Sequence, residues 1–362
     1  MKPWLLLFTT SLMSAETVSD PAKWSPEARV KTLEVFQQEV YGIDPSAKFK
    51  SEWKLDRESE IMDGKVQRRE YVLTLGGTLR ARALAYLPAG KKNAPAFLGL
   101  NFRGNHTLEE DGWITKTNDQ ERGKAASRWP VKMITDAGFA LVTVHCADFD
   151  PDKDDGFKNG VHALFPQERD GTSWGTIAGW AWGLGRVRDQ LQTVSEIDAE
   201  KVVVIGHSRL GKTALWAGAS NEKFAMAISN NSGCGGAALS KRKHGETVAR
   251  INKVFPHWFA GNFRKYDDKE ETLPVDQHQL IACIAPRPVY VASASLDDWA
   301  DPEGEFLALK LAAPAFGETL GEMPKAGGSV GTKKIRYHIR EGQHDINAWD
   351  WERYLKAAKE LL

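Results

Sequence analysis

The sequence predicts an α/β fold, in which a doubly wound and mostly parallel sheet lies between two layers of helices as a three-layer sandwich. Strand-like and helix-like segments alternate along most of the chain, with short connections between them. The clearest strand, residues 202–205, consists of four β-branched residues in a row, which is typical of a strand buried on both faces. Residues 16–362 contain no repeat and no low-complexity linker, so we expect one domain there.

Composition and the first residues limit the possible partners and location. The chain has 362 residues, and its 48 Lys and Arg balance its 48 Asp and Glu. A balanced charge offers no basic field for nucleic acid or an anionic membrane, so we expect neither as a partner. Residues 1–15 have the layout of a signal peptide, with Lys2 followed by an apolar stretch over 4–13 that is too short to span a bilayer. We therefore expect a secreted or periplasmic protein, acting as a monomer.

The first half of the chain alternates between helical and strand-like patterns. An apolar stripe after Pro26, within residues 19–42, predicts a helix because proline favours the first helical turn. A Gly-Gly turn separates 69–75 from 79–87, which predicts two antiparallel strands at an edge of the sheet. Further patterns predict buried strands over 95–102 and 139–144, and helices over 127–137 and 174–194.

The second half continues the alternation after a polar loop. Residues 148–156 are rich in aspartate but lack the glycine and glutamate of a calcium-binding EF-hand, so we expect a solvated loop at the mouth of a cleft. Between residues 236 and 287 the pattern is irregular and predicts a long insertion. The remaining predictions are strands at 202–205, 225–229, 287–294 and 334–339, and helices from 209, over 304–312 and over 349–362.

The turn after residues 202–205 carries a serine in an unusual position. Ser208 follows Gly206 and precedes Gly211, a spacing one residue longer than the usual Gly-x-Ser-x-Gly. Glycines tolerate the strain of a sharp turn, which would present the serine hydroxyl to a base and point the N-terminus of the next helix at an oxyanion. The pattern predicts a nucleophile elbow, and the simpler alternative is a serine that only caps the helix.

An acyl-transfer serine needs a histidine base, and the order of elements selects one. In α/β-hydrolases the acid and then the histidine follow the serine, each on a loop beyond a strand. His344 follows the last predicted strand and precedes the last helix. His338 lies inside that strand and is expected to be structural, while His207 beside the serine is expected to point into the packing beneath.

The acid is less clearly determined, because several aspartates follow the penultimate strand. Asp297, Asp298 and Asp301 are all in the position where such folds place the acid. Asp301 directly precedes Pro302 and is the best candidate for a helix cap. The three cysteines, at 146, 234 and 283, allow at most one disulfide and lack the Cys-x-x-Cys spacing of a metal site.

Together these residues resemble a known family. Residues 206–212, Gly-His-Ser-Arg-Leu-Gly-Lys, are similar to the Gly-Cys-Ser-Arg-x-Gly-Lys signature of the glucuronoyl esterases, carbohydrate esterase family fifteen. Further segments that carry the resemblance are 101–107, 232–236, 257–259, 297–302 and 342–344. The resemblance implies an α/β-hydrolase that cleaves, without metal or cofactor, the ester between glucuronic acid on xylan and lignin alcohols.

The resemblance also implies roles for individual residues. Arg209 would assist the oxyanion hole, while Lys212, Glu246 and Trp299 would hold the hydroxyl groups of the sugar. The charges agree with this, because a guanidinium beside the nucleophile adds charged donors where negative charge develops. Lys212 lies one helical turn beyond Ser208, on the same face of the helix. The alternative is that both cations are solvated residues of the first turn.

One position departs from the family pattern. Many members have the triad glutamate where this chain has Asn231, and an amide cannot stabilise an imidazolium as a carboxylate does. The family has a second acidic position, two residues before a tryptophan, which is Asp297 here. We therefore predict the triad Ser208, His344 and Asp297, with Asp298 as the alternative acid. The other functional hypotheses are an acetyl xylan esterase or other carbohydrate esterase, and a catalytically impaired carbohydrate-binding relative.

Overall fold

The computed structural model describes residues 21–45, 50–166 and 168–362, so the predicted signal peptide lies outside the described residues. The strands within these ranges are β1 (Ser51–Ile61), β2 (Val66–Leu75), β3 (Leu79–Pro88), β4 (Ala94–Asn101), β5 (Ala140–His145), β6 (Ile197–His207), β7 (Met226–Asn230), β8 (Val289–Ala294), β9 (Ser329–Gly331) and β10 (Ile335–Arg340). The α-helices are α1 (Pro26–Phe36), α2 (Val131–Asp136), α3 (Thr176–Leu191), α4 (Arg209–Ser220), α5 (Val248–Val254), α6 (Gln277–Ala282), α7 (Pro302–Ala312) and α8 (Ala348–Leu361).

These strands form one sheet, in the order β1-β2-β3-β5-β4-β6-β7-β8-β10-β9. The pairings from β5 through β4, β6, β7 and β8 to β10 are parallel, and those at the two edges are antiparallel. The chain reverses its direction across the sheet between β4 and β6, and ligands of such folds bind beyond the carboxyl ends of the strands at this point. The loops after β4 and β6 therefore meet where a site is expected.

Helices cover both faces of the sheet, and β6 shows why. Val202 and Val204 point into one apolar core, which also contains side chains of α1, α3, α4, α6 and α7. Val203 and Ile205 point into a second core with side chains of α2 and α8. Alternate residues of a strand face opposite sides, so a run of four β-branched residues fills both cores. The predicted doubly wound α/β architecture is confirmed.

The edge of the sheet differs from the prediction. The strands predicted at 69–75 and 79–87 exist as β2 and β3, but β1 pairs with β2 and forms the edge. The sequence of β1 is highly charged and none of its residues is fully buried, which hides the alternation that identifies a strand. Charged side chains on an edge strand also oppose pairing with another chain.

Two further expectations need correction. The insertion between residues 236 and 287 is not irregular throughout, because it contains α5 and α6, each too short to give a clear periodicity. The loop at 148–156 is solvated only in part: Asp150 is buried and accepts a hydrogen bond of 2.6 Å from Thr176 Oγ1, at the start of α3. Within the described ranges, none of the helices is both long and apolar enough to cross a bilayer.

Candidate active site

Ser208 lies in a strained turn between β6 and α4. Its backbone has φ 60° and ψ −128°, a region that a residue with a side chain rarely adopts. The turn is this sharp because Gly206 lets the helix approach the strand: a Cβ on Gly206 would lie 1.9 Å from Leu210 O. A 2.8 Å hydrogen bond from Ser208 N to Asn230 O ties the turn to β7. Within the described residues, the Ser208 side chain forms no capping hydrogen bond with α4, so its hydroxyl is available to a base.

His344 and Asp297 form a close pair beside the serine. Asp297 Oδ2 lies 2.5 Å from His344 Nδ1, and both side chains line one cavity together with Ser208. The side chain of Asp297 is only 5% exposed. Burial raises the pKa of Asp297, but hydrogen bonds from His344 and Asn231 and the charge of His344 outweigh it, so the pKa is lowered. An ionised Asp297 orients the ring with its Nε2 free for a proton from the serine.

The neighbouring candidates for the acid occupy different surroundings. The Asp298 side chain is 87% exposed and lies 2.8 Å from His244 Nε2, on the protein surface. Asp301 caps α7, as predicted, by accepting a 2.9 Å hydrogen bond from Gly304 N. Asn231 is buried and donates a 2.8 Å hydrogen bond from Nδ2 to the same Asp297 oxygen that faces His344. The amide at this position therefore supports the carboxylate of Asp297.

Arg209 is held in place by a residue that the sequence did not single out. Its guanidinium forms an ion pair with Asp152 and lies over the rings of Phe102 and Trp258, 4.6 and 4.8 Å from their centroids. Asp152 also accepts hydrogen bonds of 2.7 Å from Trp258 Nε1 and 2.9 Å from His257 Nε2. The expected solvated loop therefore contributes a partly buried anchor for Arg209. In the sequence, the aspartate-rich loop and the segment His257-Trp258 are the only features that point to this contact.

Lys212 is not a solvated residue of the first helical turn. It is buried, and its Nζ donates to Ser232 O and Cys234 O at 2.6 Å each and to Glu246 Oε2 at 3.1 Å. Glu246 N donates a 2.9 Å hydrogen bond to the carbonyl of Trp299, whose side chain is 51% exposed. Lys212, Glu246 and Trp299 line the cavity of about 340 Å³ that also contains Ser208, Asp297 and His344.

A second cavity, of about 200 Å³, reaches the serine from another direction. It shares Ser208, Arg209 and His344 with the first cavity. Its other walls include the apolar side chains of Leu100, Phe102, Ala125, Trp129, Ile205 and Ile346 and the polar ones of Asn101, Arg103, Arg128 and His207. The serine and histidine are therefore reached from two cavities, the first with the charged pair Lys212 and Glu246 and the second with two further aromatic rings and two arginines in its walls.

His207 lines this second cavity, so the expectation that it points into the packing beneath was wrong. Its ring centroid lies 4.5 Å from that of His344, and its Nδ1 is 2.6 Å from Asn230 Oδ1. Burial and the neighbouring charge of His344 lower the pKa of His207 well below its ordinary value, which keeps the ring neutral. His338, expected to be structural, is fully buried, with its Nε2 2.9 Å from Asp350 Oδ1.

Three comparisons connect this geometry with known proteins. The family model for fungal glucuronyl esterase matches residues 125–321. Carbohydrate esterase MZ0003, from an unknown prokaryotic organism, is 41% identical over 384 residues, covering 96% of this chain and 87% of that protein. The chain belongs to the glucuronoyl esterase family, carbohydrate esterase family 15. As a member of this family, it is a carboxylic ester hydrolase.

Solved structures and fungal relatives agree with this membership. The structure titled glucuronoyl esterase from Solibacter usitatus is 40% identical, with a TM-score of 0.88 over 95% of this chain and 94% of that chain. The 4-O-methyl-glucuronoyl methylesterase of Hypocrea jecorina is 33% identical over 153 residues, which are 40% of this chain and 33% of that protein. The similarity to the fungal enzyme therefore covers only part of each chain. Among the described residues, no group of three or more His, Cys, Asp and Glu side chains is arranged to hold a metal ion.

Proposed function

We propose that this esterase hydrolyses 4-O-methyl-glucuronate esters that join glucuronoxylan to lignin alcohols. The observation that carries the proposal is the position of Ser208 and His344 between two cavities, a first that contains Lys212, Glu246 and Trp299 and a second whose walls include Phe102 and Trp129. An ester has two portions, and each needs its own space beside the nucleophile. Export directed by residues 1–15 is part of the proposal, because such polymeric esters lie outside the cell.

The reaction follows from the roles of the triad. Ser208 Oγ attacks the ester carbonyl while His344 Nε2 takes its proton, and Asp297 stabilises the imidazolium that forms. The first backbone N–H groups of α4 have no acceptor within the helix and, together with the Arg209 guanidinium, stabilise the oxyanion. His344 then returns the proton to the departing alcohol oxygen. A water molecule, activated by the same histidine, releases the uronic acid from the serine.

The first cavity, which contains Lys212 and Glu246, suits the uronate sugar. Lys212 Nζ uses its three hydrogens on Ser232 O, Cys234 O and Glu246, and its 3.1 Å contact with Glu246 is the longest of these. A sugar hydroxyl can take the place of this contact by accepting from Lys212 and donating to Glu246. The half-exposed ring of Trp299 offers an apolar face on which a pyranose ring can lie. Asp152 fixes Arg209 on the same side of the serine, so that its charge is already oriented when the oxyanion develops.

The second cavity suits the alcohol portion of the ester. Its walls include Phe102 and Trp129, against which an aromatic ring can pack without leaving hydroxyl groups unpaired. His344 borders this cavity as well, and the alcohol oxygen must lie near His344 to receive its proton. The rings of Phe102 and Trp129 therefore favour an aromatic alcohol on this side of the serine.

The test compares purified protein on benzyl glucuronate, methyl glucuronate and acetylated xylan. We expect hydrolysis of both glucuronates, with the higher kcat/KM for the benzyl ester, and loss of turnover in Ser208→Ala but not in Ser220→Ala at the far end of α4. Hydrolysis of acetylated xylan alone would identify an acetyl esterase instead. Inactivity on all three substrates would support the impaired carbohydrate-binding relative, and activity retained in Ser208→Ala would refute the serine mechanism.

A further inference from the structure

A carboxyl group that the reaction does not use lies behind the active site. Glu305, on α7, is fully buried. Its Oε1 accepts hydrogen bonds from Ser232 N at 2.6 Å, Gly233 N at 3.0 Å and Ser232 Oγ at 3.1 Å, and its Oε2 accepts one from Ser293 Oγ at 2.6 Å. All these donors are uncharged. A buried carboxylate held only by neutral donors is costly, and a glutamine would fill the same space.

The segment that Glu305 holds is the one that contacts the active-site side chains. Ser232 N donates to Glu305, while the Ser232 carbonyl accepts from Lys212 Nζ at 2.6 Å. The preceding residue, Asn231, donates to Asp297 Oδ2 at 2.8 Å. On the other side, Ser293 belongs to β8, the strand that leads to Asp297. Glu305 thus joins the two segments that place Asp297 and Lys212, with three hydrogen bonds to residues 232–233 and one to Ser293.

We infer that Glu305 is a positioning residue for this esterase, whose carboxylate holds residues 231–234 so that Asn231 meets Asp297 and the carbonyls meet Lys212. Hydrogen bonds to a carboxylate are about twice as strong as those to a neutral carboxyl. Ionised Glu305 therefore holds the Ser232 and Gly233 N–H groups more firmly than protonated Glu305. The inference rests on the proposed function, because it assumes that Asp297 and Lys212 act on the ester.

The ionisation of Glu305 falls within the pH range of an ordinary assay. Burial raises the pKa of Glu305 to about 7, although the hydrogen bonds from Ser293, Gly233 and Ser232 oppose the rise. Asp297 faces it from the loop after β8, and the repulsion between the two carboxylates adds to the rise. Burial, together with the charges of Glu305 and of Asp301 at the start of α7, raises the pKa of Tyr337 on β10. Positioning is therefore expected to improve as the pH rises through about 7.

The same ionisation acts on stability in the opposite direction. The pKa of Glu305 is higher in the folded protein than in the unfolded chain, where it is near 4.5. Its contribution to stability is therefore fully present below pH 4.5 and is lost as the pH rises through about 7. If Glu305 served only the stability of the fold, its uncharged form would be the favoured one. Stability and activity are therefore expected to respond oppositely to removal of the charge.

The test compares Glu305→Gln with Glu303→Gln, a change on the same helix at a side chain that is 63% exposed. The kcat/KM of the parent divided by that of Glu305→Gln should be near one at pH 5.5 and about fivefold to tenfold at pH 8.5, with a midpoint near 7. Taking this ratio cancels every pH effect that the two proteins share. At pH 8.5 the melting temperature of Glu305→Gln should equal or exceed that of the parent, and Glu303→Gln should give a ratio of one throughout.

A ratio that does not change with pH would overturn the inference, whatever its size. If Glu305→Gln does not fold, Ser293→Ala replaces it, since this change removes one hydrogen-bond donor but keeps the charge. It should move the inflection in the parent profile to higher pH, and an unmoved inflection would also overturn the inference. Failure of the proposed function is recognised separately, because the parent protein would then not hydrolyse the glucuronate esters, or Ser208→Ala would retain their hydrolysis.

Discussion

Replacing Asp297 by asparagine changes the acid of the proposed triad with almost no change in volume. Asp297 Oδ2 accepts from both His344 Nδ1 and Asn231 Nδ2, at 2.5 and 2.8 Å. If the new amide keeps its oxygen there, both hydrogen bonds remain but the negative charge is lost. If the amide nitrogen faces His344 instead, it meets the Nδ1 hydrogen and favours the tautomer that cannot take the serine proton.

The expected effect on turnover is large because the Asp297 carboxylate is buried, so that solvent screens its charge on His344 only weakly. Substitution of the equivalent aspartate in a serine protease lowers kcat on the order of 10⁴-fold, or about 5 kcal/mol of transition-state stabilisation. The pKa of Asp297 is lowered, so its ionised form contributes to stability above the ordinary aspartate range, and this contribution is lost as the pH falls through its folded-state pKa. The stability difference between the parent and Asp297→Asn should therefore shrink in acid.

Asp298→Asn is the matched control, since it makes the same chemical change one residue away. Asp298 is exposed and contacts His244 on the surface, so its replacement should change kcat less than about twofold. Both variants are assayed on methyl glucuronate at pH 7.5, with circular dichroism to verify folding. If Asp298→Asn lost most of its kcat while Asp297→Asn kept a kcat near that of the parent, the assignment of Asp297 as the triad acid would be refuted. If both variants kept a kcat near that of the parent, the acid would lie elsewhere.

Two further variants test the groups around the triad. Lys212→Met should raise KM for glucuronates about tenfold to hundredfold, because it removes a charged donor. The loss of activity on aryl acetates should be smaller and should come from the Ser232 and Cys234 carbonyls, which the substitution leaves unpaired. Equal losses on both substrates would identify a purely structural lysine. Asp152→Asn should lower kcat roughly tenfold with little change in KM, because Arg209 loses the charge that orients it. The exposed Asp154→Asn on the same loop is its control, and a change in KM alone would contradict the oxyanion role.

Much of the frame of this protein follows from local patterns in the sequence. The run of β-branched residues at 202–205 predicts a strand buried on both faces, because each face of a central strand must be apolar. The glycine spacing around Ser208 predicts the sharp turn, since a Cβ at Gly206 would overlap α4. Chain order alone selects His344 over His338, because only a residue beyond the strand end can reach the serine.

Other features depend on which segments the fold brings together. Asp297 and Asp298 are adjacent and chemically identical, and only the direction of the chain after β8 turns one toward His344 and the other toward His244. The charged strand β1 shows no alternation, because it lies at the edge of the sheet beside β2 and none of its residues is fully buried. Asp152 contacts Arg209 across 57 positions of sequence, and Glu305 contacts Ser232 across 73. Such contacts leave no local pattern, because burial and pairing of a carboxylate are decided by distant segments that only the tertiary structure brings to it.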